Sequence, residues 1–272
     1  MKKFDLKKRN QRRGGFTLIE LVMVIMILAI VAGLAVPIVG WLRRSANYAA
    51  QANTQAALAS NLEYFRATFG NNNYPNRMDS LVMTGGSDPI YDPTNGIGHD
   101  SGLDTDLFQI DDLLADETAS LSKFVKQVMD HDPTSGNWLQ GNPGNSAIVE
   151  RAFDGTSTAV VARGNFQKDG TTALTGEGLL LTQEIYPDGV PSDVTLVAFG
   201  LGRSNTAVGR TLQSAPLDSR VDNSSVYGRF IGVFAVYNPR EGRRAQLKAV
   251  LNAKGRTQNN ALSEFWQSNA PE

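Results

Sequence analysis

The sequence predicts an α+β protein, in which a long N-terminal α-helix is transmembrane over its first half and packs by its second half on a mostly antiparallel β-sheet head. Three observations predict it. Leu21 to Leu42 holds no charged residue, which at ~1.5 Å per residue covers a ~30 Å hydrocarbon core. Residues 43–69 are rich in Ala and free of Pro and Gly, with Leu58, Leu62, Phe65 and Phe69 at spacings of 4, 3 and 4, one face of a helix. Beyond residue 158 come runs rich in Val, Leu, Phe and Tyr, bounded by Gly, Pro or Asp, the pattern of strands.

The chain opens on a basic leader, residues 1–15, with Lys2, Lys3, Lys7, Lys8, Arg9, Arg12 and Arg13 against Asp5. That bias holds it on the cytoplasmic side. A secretory signal places its small-residue cleavage site after the apolar run. Here Gly14 and Gly15 lie before it. A cut after Gly15 removes only the leader and leaves the apolar helix, 16–42, starting at Phe16. Without the leader's seven cations and one acid, the 26 basic and 27 acidic residues become 19 and 26, a net of −7. That mild acidity makes nucleic acid an unlikely partner.

Glu20 lies at the head of the apolar stretch. A carboxylate at that depth is costly without a partner and marks a functional position. The natural partner is the Phe16 amine, either of the same helix at i and i+4 or of a neighbouring chain. Pro37, flanked by Gly33 and Gly40, weakens the helix.

Gly15-Phe16-Thr17-Leu18-Ile19-Glu20 followed by a long apolar helix resembles the class III signal of type IV pilins and type II secretion pseudopilins, over about residues 7–69. The resemblance implies cleavage between Gly15 and Phe16 by a prepilin peptidase, N-methylation of Phe16, and a role for Glu20 in subunit docking. Pro37 stands where family members carry a helix-kinking proline. Tyr74-Pro75, then Leu81, resembles the pseudopilin side of the family.

In chain order, residues 43–69 are the amphipathic half of the helix, with Gln51, Asn53, Gln55, Asn61 and Arg66 expected on its other faces. Gly70 and Asn71–Asn73 end it, since both residue types tolerate a left-handed cap. Residues 70–157 form an acidic connecting region, with turns over 84–103 and a helix expected over 104–130 from the spacing of Leu107, Ile110, Leu114, Leu121, Val125 and Val128. Between Pro75 and Gln140 there are 12 acids and three basic residues. Asp88, Asp92, Asp100 and Asp104 are candidate calcium ligands, since calcium takes 6–8 oxygens and some related pseudopilins bind it. No EF-hand spacing occurs, and a solvated acidic surface explains the same residues. The β-rich head, 158–272, has strands expected over 158–166, 177–186, 194–201 and 226–237, and a shorter one over 147–153. In 226–237 both alternating faces are apolar, the mark of a central strand. Residues 239–257 carry Arg240, Arg243, Arg244, Lys248, Lys254 and Arg256 against Glu241, either a charge-complementary face between subunits or a solvated helix or edge. Residues 261–272 tuck back locally through Phe265 and Trp266.

The chain has no cysteine, which excludes thiol catalysis and thiolate metal sites. His99 and His131 lie among aspartates without a further ligand pattern. Asp111-Asp112 is expected on a helix surface, in water. Gly200-Leu201-Gly202 starts like a dinucleotide fingerprint but runs into Arg203-Ser204-Asn205. Asn223-Ser224-Ser225 is a bare sequon. Nothing pairs a nucleophile with a base, so no enzyme and no obligatory cofactor is expected.

The resemblance therefore implies a structural subunit of a type IV pilus or a type II secretion pseudopilus. Its partners are copies of itself or related pilins, the prepilin peptidase and an inner-membrane assembly platform. It sits as a single-pass inner-membrane protein with its head exported, then in a periplasmic or cell-surface filament. The alternative is a non-polymerising, membrane-anchored binding protein or enzyme with a periplasmic domain.

Overall fold

The computed structural model describes residues 17–83, 108–113, 115–131, 148–152, 158–162, 177–191, 193–218, 227–237 and 244–268. Two compact units divide the chain, Met1–Ala46 and Asn47–Glu272.

Helix α1 runs unbroken from Leu18 to Thr68 and carries residues of both units. Its backbone stays helical through positions 33–40, Pro37 included. Side chains 34–39, 41 and 44 lie outside the described residues. Among the described residues no helix is long and apolar enough to cross a membrane. Of the expected span over 16–42, residue 16 and side chains 34–39 and 41 lie outside the described residues. The helix ends as its Asn residues suggest. Asn71 and Asn72 adopt positive φ of 49° and 67°, and the amides of Gly70 and Asn72 return to the carbonyls of Phe65 and Arg66 at 2.8 and 3.0 Å. These bonds satisfy carbonyls that the last turn leaves open.

Among the described residues the second unit is an eight-stranded sheet with short helices. In chain order these are β1 (Met78–Met83), β2 (Phe108–Asp112), α2 (Ala115–Leu121), β3 (Gln127–His131), β4 (Ile148–Ala152), β5 (Thr158–Ala162), α3 (Glu177–Ile185), β6 (Val194–Gly200), β7 (Ile231–Tyr237), β8 (Gln246–Leu251) and α4 (Gln258–Ser268). Among the described residues every strand pairing is antiparallel except β1 with β3. Strand β6 is the hub. It pairs β7 along its whole length, from Val194↔Tyr237 to Gly200↔Ile231. It also pairs β5 at Val197 and β1 at Gly200.

Strands β6 and β7 are buried at every position, because both of their faces are covered. Val197, Phe199, Phe234 and Val236 enter one core cluster with Leu58, Leu62 and Phe65 of α1. Leu196, Ala198, Ile231, Val233 and Ala235 enter the other with Leu181 of α3, Leu81 and Phe108. The double-faced reading of 226–237 thus holds.

Other expectations are corrected. The helix over 104–130 is β2, α2 and β3, although Leu121, Val125 and Val128 do reach the core. Asp111 and Asp112 lie in a strand, not on a helix. The strand over 177–186 is the helix α3, since a short run such as Gly178-Leu179-Leu180-Leu181 suits either state. Strand β1 lies in the region read as a connection, and half of the sheet precedes residue 158. Phe69 is 49% exposed, whereas Gln51 and Gln55 are buried, so the inward stripe of α1 is shifted toward its start. Of the two states open to the basic run, a helix or an edge, its described part takes the edge, strand β8 and the turn after it. Among the described residues strand β8 pairs only β7. Its other edge is met by side chains: the Leu247 amide donates to the Tyr74 hydroxyl at 2.7 Å, and the Val250 carbonyl accepts from Gln55 Nε2 at 3.0 Å.

Candidate assembly site on the N-terminal helix

From Leu18 to Val31 the large apolar side chains of α1 are exposed, from Val22 at 39% to Leu18 at 80%, and they include consecutive residues, Leu21 to Leu28. Consecutive residues fall on every side of a helix, which advances 100° per residue. A helix apolar all round is one that something must cover.

At its start Thr17 and Glu20 form a closed pair. The Thr17 amide and hydroxyl both donate to Glu20 Oε2, at 2.8 and 2.9 Å. The Glu20 amide donates back to Thr17 Oγ1 at 3.4 Å. This is a capping box, in which a Thr at the N-cap and a Glu three residues on satisfy each other's open groups. Thr17 is the residue that the sequence reading missed, although Thr-x-x-Glu ahead of an apolar run is the signature. The carboxylate therefore has a partner within its own chain. Phe16 and Gly15 lie outside the described residues, as do Asp88, Asp92, Asp100, Asp104, His99 and the Asn223 sequon. His131 ends β3. Among the described residues no group of His, Cys, Asp or Glu is arranged to hold a metal.

In the second unit the functional question is how α1 is held. Leu58, Leu62 and Phe65 supply the apolar contact, and Tyr74 the polar one. Its hydroxyl donates to Glu63 at 2.8 Å and accepts from Arg66 at 3.0 Å as well as from Leu247. Arg66 and Glu63 are paired at 2.9 Å. Burial raises the Tyr74 phenol well above its ordinary value, opposed by the Leu247 amide and reinforced by Glu63. Tyr74-Pro75, noted for its family likeness, is thus the tie between helix and sheet.

Gly200 and Gly202 serve packing. A Cβ on Gly202 would stand 2.1 Å from the Asp79 carboxylate, and one on Gly200 would stand 2.1 Å from the Tyr227 hydroxyl. The two glycines make room for a buried hydrogen bond, Tyr227 to Asp79 at 2.6 Å. Burial raises the Tyr227 phenol, helped by the Asp79 charge, and burial lowers the Arg229 guanidinium nearby.

The prokaryotic N-terminal methylation motif matches residues 10–36. The chain carries a pilin-type N-terminal signal. That signal spans Arg12 and Arg13, the Gly15-Phe16 junction, the Thr17–Glu20 box and the exposed apolar turns of α1. It marks a prepilin-like structural protein. Neither a curated protein nor a solved structure matches the chain.

Proposed function

We propose that this chain is a structural subunit of a type IV pilus or a type II secretion pseudopilus. A prepilin peptidase cuts between Gly15 and Phe16 and the new amine is methylated. The first half of α1 waits in the inner membrane, with the assembly platform, until it moves among the helices of related subunits. The observation that carries this reading is the exposure of apolar side chains on every side of α1, beneath a motif of the pilin type. Head-to-tail contacts that do not close produce a helical fibre, and Glu20 paired with the Phe16 amine of a neighbour sets the register. Tyr74-Pro75 and the absence of a cysteine clamp favour the secretion pseudopilus. The second unit is displayed outward and supplies specificity.

The capping box supports a second reading, a membrane-anchored protein that does not polymerise, because Glu20 already has work to do within one helix. Two substitutions separate them. Gln retains the capping function of Glu but not its charge. Glu20→Gln and Glu20→Ala are both expected to abolish filaments or secretion while the second unit stays folded. Normal filaments with Glu20→Gln would remove the charge pairing from the account. Normal cellular activity with both would favour the anchored protein. Mass spectrometry of the N-terminus provides the companion test, a methylated Phe16 being expected and an intact Met1 refuting processing.

A further inference from the structure

The polar face that α1 turns to the sheet does not balance its own hydrogen bonds. Gln51 and Gln55 are 4% and 2% exposed and stand one turn apart on the same face. The Gln51 amide nitrogen donates to Asp218, which is fully buried and also accepts from the Ala253 amide at 3.2 Å. The Gln55 amide nitrogen donates to the carbonyls of Val250 and Arg256, at 3.0 and 2.9 Å. Between those two carbonyls in sequence lies Asn252, also fully buried. Its Oδ1 accepts from the amides of Lys254 and Arg256, each at 2.9 Å. These bonds fix which end of each amide is oxygen and which is nitrogen.

What they leave over is specific. Gln51 Oε1, Gln55 Oε1 and Asn252 Nδ2 are buried without a hydrogen-bond partner among the described residues. A buried polar atom left in that state costs roughly 1–3 kcal/mol, so three together call for an occupant. The remainder is two acceptors and one donor. All three belong to side chains whose other ends bond at Asp218 or within residues 250–256.

We infer that this seam between α1 and the turn after β8 binds an internal water molecule. The water donates its two protons to Gln51 Oε1 and Gln55 Oε1 and accepts from Asn252 Nδ2. Three bonds is the usual complement of a buried water. A cation suits the two glutamine oxygens but meets the Asn252 amide protons head-on. Both Asp218 oxygens, moreover, already take donors. The bound water completes the attachment of the second half of α1, and the three amides that hold it form one site.

A crystal structure of the processed, detergent-solubilised protein tests this without substitution. One density peak at about 2.7–3.2 Å from all three atoms is the expected result. A peak with oxygen contacts of about 2.3–2.6 Å, as calcium makes, would overturn it, and so would direct bonding of Asn252 to a glutamine oxygen with no peak between. In solution, the Asn252 side-chain amide protons should show cross-relaxation to a water that outlasts molecular tumbling. Its absence would overturn the assignment equally.

Discussion

Two stretches of α1 place similar side chains under opposite conditions. Between Leu18 and Val31 the large aliphatic residues are 39 to 80% exposed, while Leu58, Leu62 and Phe65 of the same helix are at 3% or less. The first stretch is apolar on every side; the second is apolar on one side and carries Asn53, Asn61, Glu63 and Arg66 on others. A stripe needs one partner surface, and the β6–β7 face supplies it. A uniformly apolar cylinder needs a surrounding medium, lipid or other helices. The difference between the stretches is therefore one of intended solvent rather than of secondary structure.

The sharpest way to break the comparison is to empty the packed side. Phe234 is fully buried and stacks edge-on to Tyr74 at 4.9 Å. Phe234→Ala should lower the unfolding free energy by about 3–5 kcal/mol in denaturant titration; a loss under about 1 kcal/mol would mean that the core is elsewhere. Next comes overpacking. Gly202→Ala drives a methyl into the Asp79 carboxylate and should destabilise by about 1–3 kcal/mol, with thermal unfolding as the readout.

Tyr74→Phe removes the acceptor of the Leu247 amide and should destabilise by about 1–2 kcal/mol. It also bears on pH. Burial lifts the Tyr74 and Tyr227 phenols above the ordinary value, so the folded state favours their protonated forms. Their contribution is complete below about pH 10, where an unfolded Tyr ionises, and falls as pH climbs toward the folded values. The alkaline loss of stability should be shallower in Tyr74→Phe than in the parent, and equal slopes would contradict the shift. The smallest effect belongs to the exposed side. Ile27→Ala should leave the unfolding of the second unit within about 0.5 kcal/mol; a larger change in circular-dichroism melts would show that the two stretches are coupled.

Legibility followed the same divide. The signal, the long helix and the strands β6 and β7 could be read because their patterns are long and consistent with one period. The segment 104–130 misled because apolar residues three and four apart can also arise when two strands and a helical turn abut, as Ile110, Leu121 and Val128 do. Strand β1 was hidden by its own chemistry. It buries the charged Asp79, and Leu81 sits at a φ of 61° in a register shift, neither of which a strand template anticipates. Gln51 and Gln55 looked like solvent-facing residues, and only the partners supplied by Asp218 and the 250–256 backbone explain their burial. At the candidate site, Glu20 was visible as an anomaly. Thr17 carries no charge to mark it as the partner of Glu20, as the Phe16 amine does, and its part in the capping box rests on spacing alone.

Strand β8 carries a last implication. Its outward hydrogen-bonding groups at Leu247 and Val250 are plugged by Tyr74 and Gln55, so this border of the sheet offers no ladder there for another chain to zip onto. Where many copies are crowded along one fibre, as proposed, such plugs would keep neighbouring sheets from fusing sideways and leave lengthwise order to the helices alone.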